Sequence, residues 1–253
     1  MEAGLRIGYK WQPFPEEINR QVAVVVADLH YAPTEWSRQN LLWENISPEK
    51  IIVTGNPVID ALQTMTNQLA KPDVLAVLEQ IGLPIDASEH SPRLVMITAH
   101  RREIYGAPMK NICAALCQLA EKYPEVRFVY PVHLNPNVHE PVYRLFEGIS
   151  NMTLLPSLYY LPLVHLLKRA ALVLTDSDGL QEEAPGLIIP IFMLRAVTKR
   201  PERVEAGTMK LVGTNTAHTV AEACRLSDDP TTHGPVRSTP TAMGTLQSES
   251  CKH

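Results

Sequence analysis

Residues 172–185 read LVLTDSDGLQEEAP, and this run decides the fold class. The apolar stretch from Ala171 to Leu174 reads as a strand buried on both faces, as in a parallel sheet. It ends in Thr175-Asp176-Ser177, breaks at Gly179, and turns helical through Leu180, Gln181, Glu182 and Glu183. Ser177 is the expected N-cap, and the free N–H groups of such a helix start suit a phosphate or a carboxylate. An ordinary strand-turn-helix unit with no ligand accounts for the stretch equally well, because helix starts are generic.

Upstream the same pattern repeats. Strands are expected at 94–98, 127–130 and 152–155, and beyond the opening stretch at 189–194. Helices are expected between them at 111–122, 139–147 and 161–169. Alternating apolar strands and helices predict an α/β fold, a Rossmann-like, doubly wound parallel sheet with helices on both faces. Ligands in such sheets sit at the carboxyl ends of the strands. Those ends carry His100, Arg101 and Arg102, then His133 and Asn135, then residues 175–179, and then Arg195 through Glu202. Imidazole, guanidinium and a helix start gathered on one edge point to a diphosphate or a similarly anionic ligand.

The first part of the chain is sparser. Residues 22–28 are apolar, 30–32 and 51–54 read as short strands, and Thr34 caps a helix whose apolar side is Trp36, Leu41, Leu42 and Trp43. That is too few strands to close a core of its own. Gly55-Asn56-Pro57 reads as a domain junction, followed by a helix at 58–69 and a short helix with a polar loop in 71–93. The expected division is a remnant Rossmann-like domain over 1–56, a ligand-binding Rossmann-like domain over 57–226, and a disordered Ser/Thr/Pro-rich tail over 227–253. The chain of 253 residues is 45% hydrophobic and 20% charged with a net charge of -4. That balance offers no basic field for nucleic acid or acidic lipid, and no apolar run reaches a membrane span. The N-terminus lacks a secretory layout. The four cysteines include Cys113 and Cys117 four apart on a helix; they read as structural thiols, not metal ligands, and fit a reducing cytoplasm. No metal and no cofactor is expected.

Eight segments in order, MEAGLR, PFPEEINR, APTEWSRQNLLWENI, VTGNPVIDAL, TAHRRE, YPVHLNPNV, LTDSDGLQEEAP and KRPERVEAGTMKLVGTN, resemble the non-hydrolysing UDP-N-acetylglucosamine 2-epimerases over about residues 2–215. The resemblance implies two Rossmann-like domains of the GT-B kind, with UDP-sugar or UDP held mainly by the second. It implies inversion at C2 of UDP-GlcNAc by eliminating UDP to a 2-acetamidoglucal and adding it back with the proton delivered from the other face. Such chemistry needs carboxylates near C2 and a cationic cradle for the departing UDP. The family's carboxylates fall on Glu2 and Glu16 and its catalytic histidine on His100. Its diphosphate cradle falls on Ser177, Asp178 and Gly179, its ribose contact on Glu183, and a further positive charge on Arg200. Arg101 and His133 touch a second, regulatory UDP-sugar in some members. A homodimer is one arrangement the family uses. Taken as residues alone, Glu2 is terminal, Glu16 and Glu17 are first-turn helix charges, and His100 and His133 are strand-end groups that backbone or water can satisfy.

The chain also departs from the family. The family's Gly-Thr-Arg-Pro-Glu loop and its Gly-Asp-Thr segment with a catalytic aspartate have no counterpart, so impaired turnover is expected. The alternatives are a module that holds UDP or UDP-sugar without turnover, and a fragment without function. Asp178 stands where the family has glycine. A carboxylate about 4 Å from a phosphate charge is repelled by up to ~4 kcal/mol at an effective dielectric of about 20. Leu163 stands where the family places an aromatic ring near uracil, and Leu158 replaces a polar residue.

Overall fold

The computed structural model describes residues 3–11, 14–82, 93–195, 197–198 and 200–228, without the side chains of 201, 202 and 226–228. The chain forms two compact units. The first spans Met1–Pro57 with Val197–Ala206, and the second spans Val58–Ala196 with Gly207–Arg237. Glu2 and residues 229–253, most of the expected tail, lie outside the described residues.

In the first unit, α1 (Glu16–Val26) carries two acidic residues in its first turn, where negative charge is favoured. The Glu17 carboxylate is fully buried and accepts from the backbone N–H groups of Ile7 (3.2 Å) and Gly8 (3.1 Å), pinning the preceding loop. Two short strands, β1 (His30–Ala32) and β2 (Ile51–Val53), pair in parallel, with α2 (Glu35–Trp43) between them in sequence. As expected, Thr34 caps α2, its Oγ1 accepting from Ser37 N at 3.2 Å. The apolar side expected for α2 is only partly buried: Leu41 is enclosed, whereas Trp36 and Trp43 face solvent. The core here is a handful of residues around Val24, Ala32, Leu41 and Ile51. Two strands cannot shield more, and Val22, Val25 and Val26 of α1 stay exposed.

The second unit opens with α3 (Pro57–Thr66) and α4 (Pro72–Gln80). Then follow β3 (Leu94–Thr98), α5 (Ala107–Lys122), β4 (Arg127–Val132), α6 (Pro136–Leu145), β5 (Met152–Pro156), α7 (Tyr160–Arg169), β6 (Ala170–Thr175), α8 (Leu180–Gly186) and β7 (Ile191–Met193). Last come α9 (Pro201–Glu205), whose residues belong to the first unit, and β8 (Met209–Leu211) with α10 (Thr216–Asp228) in the second. Six strands form one parallel sheet in the order β5-β4-β3-β6-β7-β8. β3 is buried along its whole length. Its alternate residues Val95 and Ile97 face a core with Ile112, Leu116, Val138 and Ala223, while Leu94 and Met96 face one with Val74, Leu78, Leu166 and Ala184. Helices thus cover both faces, as a doubly wound sheet requires.

The structure corrects several boundaries. The helix expected from 111 starts at Ala107, after Gly106 at φ 83°, a left-handed backbone that glycine adopts without strain. The helix expected from 139 starts at Pro136, with Asn135 as its N-cap accepting from Asn137 N at 3.0 Å. β8 and α9 were not anticipated. Leu163, at the position where the resemblance places an aromatic ring, and Leu158, which replaces a polar residue, are partly buried against the core that includes Val74, Leu78 and Leu166.

Asn151 anchors the edge of this sheet. Its buried Nδ2 lies 3.0, 3.0 and 3.1 Å from the carbonyls of Ala120, Tyr123 and Val126, which close the C-terminal end of α5. Replacing Asn151 with Ala leaves those carbonyls buried without this donor, at a cost of ~1–3 kcal/mol. Urea unfolding of Asn151→Ala checks this, and a loss below about 0.5 kcal/mol contradicts it.

Candidate functional site

The strand order places the site before any side chain is considered. From β3 the chain winds outward through β4 and β5, then returns to lay β6 on the other side of β3 and winds outward through β7 and β8. The order reverses between β3 and β6, and the loops leaving those strands separate to form a crevice at their carboxyl ends. The loop after β3 carries His100 and Arg101, and the loop after β6 carries Asp176, Ser177, Asp178 and Gly179.

Asp176 joins the two loops. Its carboxylate is fully buried, and its Oδ2 accepts from the backbone N–H groups of His100 (2.7 Å) and Arg101 (2.6 Å). The strands beneath are tied by a buried hydroxyl pair, Thr98 and Thr175, at 2.6 Å. Tyr130 donates to the carbonyl of Ala99 (2.6 Å) and Tyr105 to that of His100 (3.1 Å). The backbone N–H groups of His100 and Arg101 and the carbonyls of Ala99 and His100 are thus engaged, which ties the loop to the sheet.

That loop presents two functional side chains. The His100 ring stacks on His133 of the β4 exit, with centroids 5.4 Å apart and planes 9° from parallel. His133 Nδ1 accepts from Asn135 N at 3.1 Å, which orients the ring. His100 Nδ1 lies 3.4 Å from Asp176 Oδ1, beyond hydrogen-bond geometry but within the reach of the charge. Burial holds the His100 pKa below 6.5; Asp176 and Asp178 pull it upward, while His133 and Arg101 oppose its protonation. Burial wins because the ring is half enclosed, and His100 is neutral at neutral pH.

The second side chain, Arg101, meets Asp178. Arg101 Nη2 donates to Asp178 Oδ2 at 2.8 Å, and Arg195 Nη1 donates to Asp178 Oδ1 at 2.8 Å. Gln181 Nε2 adds a bond to Oδ1 at 3.2 Å. Arg195 leaves the end of β7 almost completely buried, and its Nη2 lies 3.9 Å from Glu103. The expected repulsion between Asp178 and a phosphate thus has a structural counterpart: the carboxylate already holds two guanidinium groups.

The remaining expectations fall as follows. Ser177 does not cap α8; its backbone N–H donates to Thr175 Oγ1 at 2.9 Å, and Gly179 holds the cap position with no side-chain bond. The helix begins two residues later than the sequence suggests, so Ser177 lies before its cap position. Gly179 has an ordinary helical backbone, and a Cβ there would meet only Ser177 Oγ, at 3.8 Å. Glu183 sits in the first turn of α8, buried, with Tyr160 donating to its Oε1 at 3.3 Å. Burial raises the Glu183 pKa and, together with the Glu183 charge, pushes that of Tyr160 up to about 12. Glu16 and Arg200 belong to the first unit: Glu16 opens α1, and Arg200 is buried with its N–H on Thr198 Oγ1 at 3.1 Å. Glu2 lies outside the described residues. Arg195 and Asp176 fall within the strand-end groups read from sequence, but neither they nor Glu103 were given a role of their own there; the contacts that join them to the site come from the fold. Among the described residues no cluster of His, Cys, Asp or Glu is arranged to hold a metal ion, and no helix is long and apolar enough to cross a membrane.

These features define a doubly wound α/β protein with a cluster of arginine, histidine and aspartate side chains at its topological switch point. The sequence model of the UDP-N-acetylglucosamine 2-epimerase family matches residues 1–248, and the chain belongs to that family. A probable UDP-N-acetylglucosamine 2-epimerase of Ralstonia solanacearum is 48% identical over 229 residues, 90% of this chain and 60% of that protein. The crystal structure of the Neisseria meningitidis UDP-GlcNAc 2-epimerase bound to UDP-GlcNAc superposes with a TM-score of 0.85 at 43% identity, covering 92% of this chain and 62% of that one. The Methanocaldococcus jannaschii UDP-GlcNAc 2-epimerase in complex with UDP-GlcNAc and UDP gives 0.76 at 30% identity, covering 90% and 62%. The chain spans about 60% of the length of the curated relatives it matches.

Because burial favours neutral His100, unfolding takes up a proton on this group between its depressed folded pKa and the usual 6.5. Its contribution to stability is present above pH 6.5 and is lost as pH falls through the folded pKa. Imidazole 13C NMR is expected to show His100 titrating below 6.5, and a midpoint at or above 6.5 contradicts the burial argument.

Proposed function

We propose that the edge of the second unit binds the diphosphate of UDP or a UDP-sugar, and that the chain serves UDP-N-acetylglucosamine 2-epimerisation. The observation that carries this reading is the convergence of His100, His133, Arg101 and Arg195 at the switch point, the place where parallel α/β sheets hold their ligands. Guanidinium groups suit phosphate oxygens because their planar fork matches two acceptors at once. Solved relatives were crystallised with UDP-GlcNAc and UDP, which supports the ligand class.

In the reaction the C1–O bond to UDP breaks as the C2 proton is lost, giving the 2-acetamidoglucal. UDP then adds back at C1 and a proton returns to C2 from the opposite face. The leaving diphosphate gains charge as that bond breaks, so the work of this edge is to stabilise the developing anion. His100 stands with one nitrogen toward Asp176, leaving its Nε2 for a phosphate oxygen. An arriving anion favours protonation of the ring, which makes Nε2 a donor where charge develops. Glu183, in the first turn of α8, is assigned to the ribose hydroxyls, and Ser177 and Gly179 to the phosphates through their backbone. Glu2 and Glu16 are assigned to proton transfer at C2.

Millimolar UDP followed by amide NMR tests the binding reading. The expected shifts fall on Arg101, His133, Ser177 and Gly179, whereas no shifts, or shifts confined elsewhere, overturn it. Incubation with UDP-GlcNAc tests the chemistry by the appearance of UDP-ManNAc. His100→Ala is expected to lower that rate by about 100-fold or more, and an unchanged rate removes His100 from the reaction.

A further inference from the structure

The strongest unabsorbed feature of the second unit is the way Asp178 is spent. Its two carboxylate oxygens go to two different arginines, Oδ2 to Arg101 and Oδ1 to Arg195, both at 2.8 Å, with Gln181 also on Oδ1. The carboxylate therefore bridges guanidinium groups delivered from the exits of β3 and β7, as an oxyanion of a ligand would. Asp178 and Arg101 each keep about a quarter of their side-chain surface in solvent, whereas Arg195 is sealed in. The bridge is reachable from outside on one side only.

Among the described residues, Asp178 occupies a guanidinium N–H of Arg101 and one of Arg195. A ligand anion reaches those donors only where it takes over the bonds that Asp178 holds.

We infer that Asp178 is an internal counter-anion that competes with ligand phosphate for Arg101 and Arg195, and so sets which ligand the edge prefers by its charge. This rests on reading the edge as a diphosphate site and deepens that reading. Repulsion by Asp178 grows with each charge the ligand carries. UDP, with a terminal phosphate monoester, bears more negative charge than UDP-GlcNAc, whose diphosphate is a diester. The native site therefore favours the nucleotide sugar over the free nucleotide diphosphate, and removing the carboxylate erases that preference. Asp178 is a specificity-determining residue; it takes no proton and forms no bond in the reaction.

The test measures dissociation constants by calorimetry for UDP, UDP-GlcNAc and inorganic pyrophosphate, with the native chain, Asp178→Asn and Asp178→Gly. The Asn variant keeps the shape and one acceptor oxygen without the charge, and thermal melts followed by circular dichroism identify which variants are folded. UDP and pyrophosphate are expected to bind about tenfold or more tightly to the variants, with a smaller gain for UDP-GlcNAc. Unchanged or weaker UDP and pyrophosphate binding by a folded variant overturns the counter-anion while leaving the UDP site standing. A gain for pyrophosphate without any UDP binding upholds the counter-anion and removes the nucleotide. Failure of all three ligands with every folded protein overturns both.

Discussion

A buried carboxylate needs donors or opposite charge, and Asp176, bonded through Oδ2 with Oδ1 beside the His100 ring, shows how much structure one such group can enforce. It lies at the end of a central strand, out of contact with water, and takes backbone N–H bonds from two successive residues of the neighbouring loop. Those bonds exist only if β3 and β6 are adjacent, in register and parallel, as the pairing of Thr98 with Thr175 requires. The sheet topology thus satisfies the carboxylate, and the carboxylate in turn fixes the loop that carries His100 and Arg101. Remove the crossover that brings β6 beside β3 and neither side chain has a defined position.

The electrostatics of the edge follow from that placement. Half-enclosed His100, stacked on a second imidazole and close to Arg101, stays neutral despite two nearby carboxylates. Arg195, sealed under the loops, would be expensive to bury alone, and Asp178 supplies the compensating charge. Pairing therefore serves stability first. The same pairing lowers the net positive charge that an anionic ligand would meet, so stability of the free protein and affinity for phosphate pull against each other at one residue.

Much of the second unit was legible because parallel strands buried on both faces are continuous apolar runs: residues 94–98 and 170–175 could hardly be read otherwise. β8 escaped because it is an edge strand of three residues with Lys210 at its centre, which breaks the apolar signal. The start of α5 escaped because its first turn depends on the backbone of Gly106 and not on a side-chain cap. At the site, residues near a motif were identified and residues joined across the fold were not. Ser177 looked like a cap because local sequence alone cannot show that the helix starts only at Leu180, with Gly179 at the cap. The bond between Arg195 and Asp178 spans seventeen positions and two strand exits, so only the sheet order reveals it.

Leaving-group stabilisation and proton transfer at carbon place opposite demands on a protein. The first wants fixed donors on a rigid edge; the second unit has a six-stranded sheet with apolar cores on both faces and a loop tied to a strand end by Asp176. The second wants carboxylates whose basicity survives in the presence of substrate. The first unit shows one way to keep a carboxylate occupied instead, since Glu17 is held by the backbone N–H groups of residues 7 and 8. Its neighbour Glu16 is not enclosed in that way. Adjacent glutamates on one helix turn thus differ: buried Glu17 holds the preceding loop, while Glu16 is only half-buried.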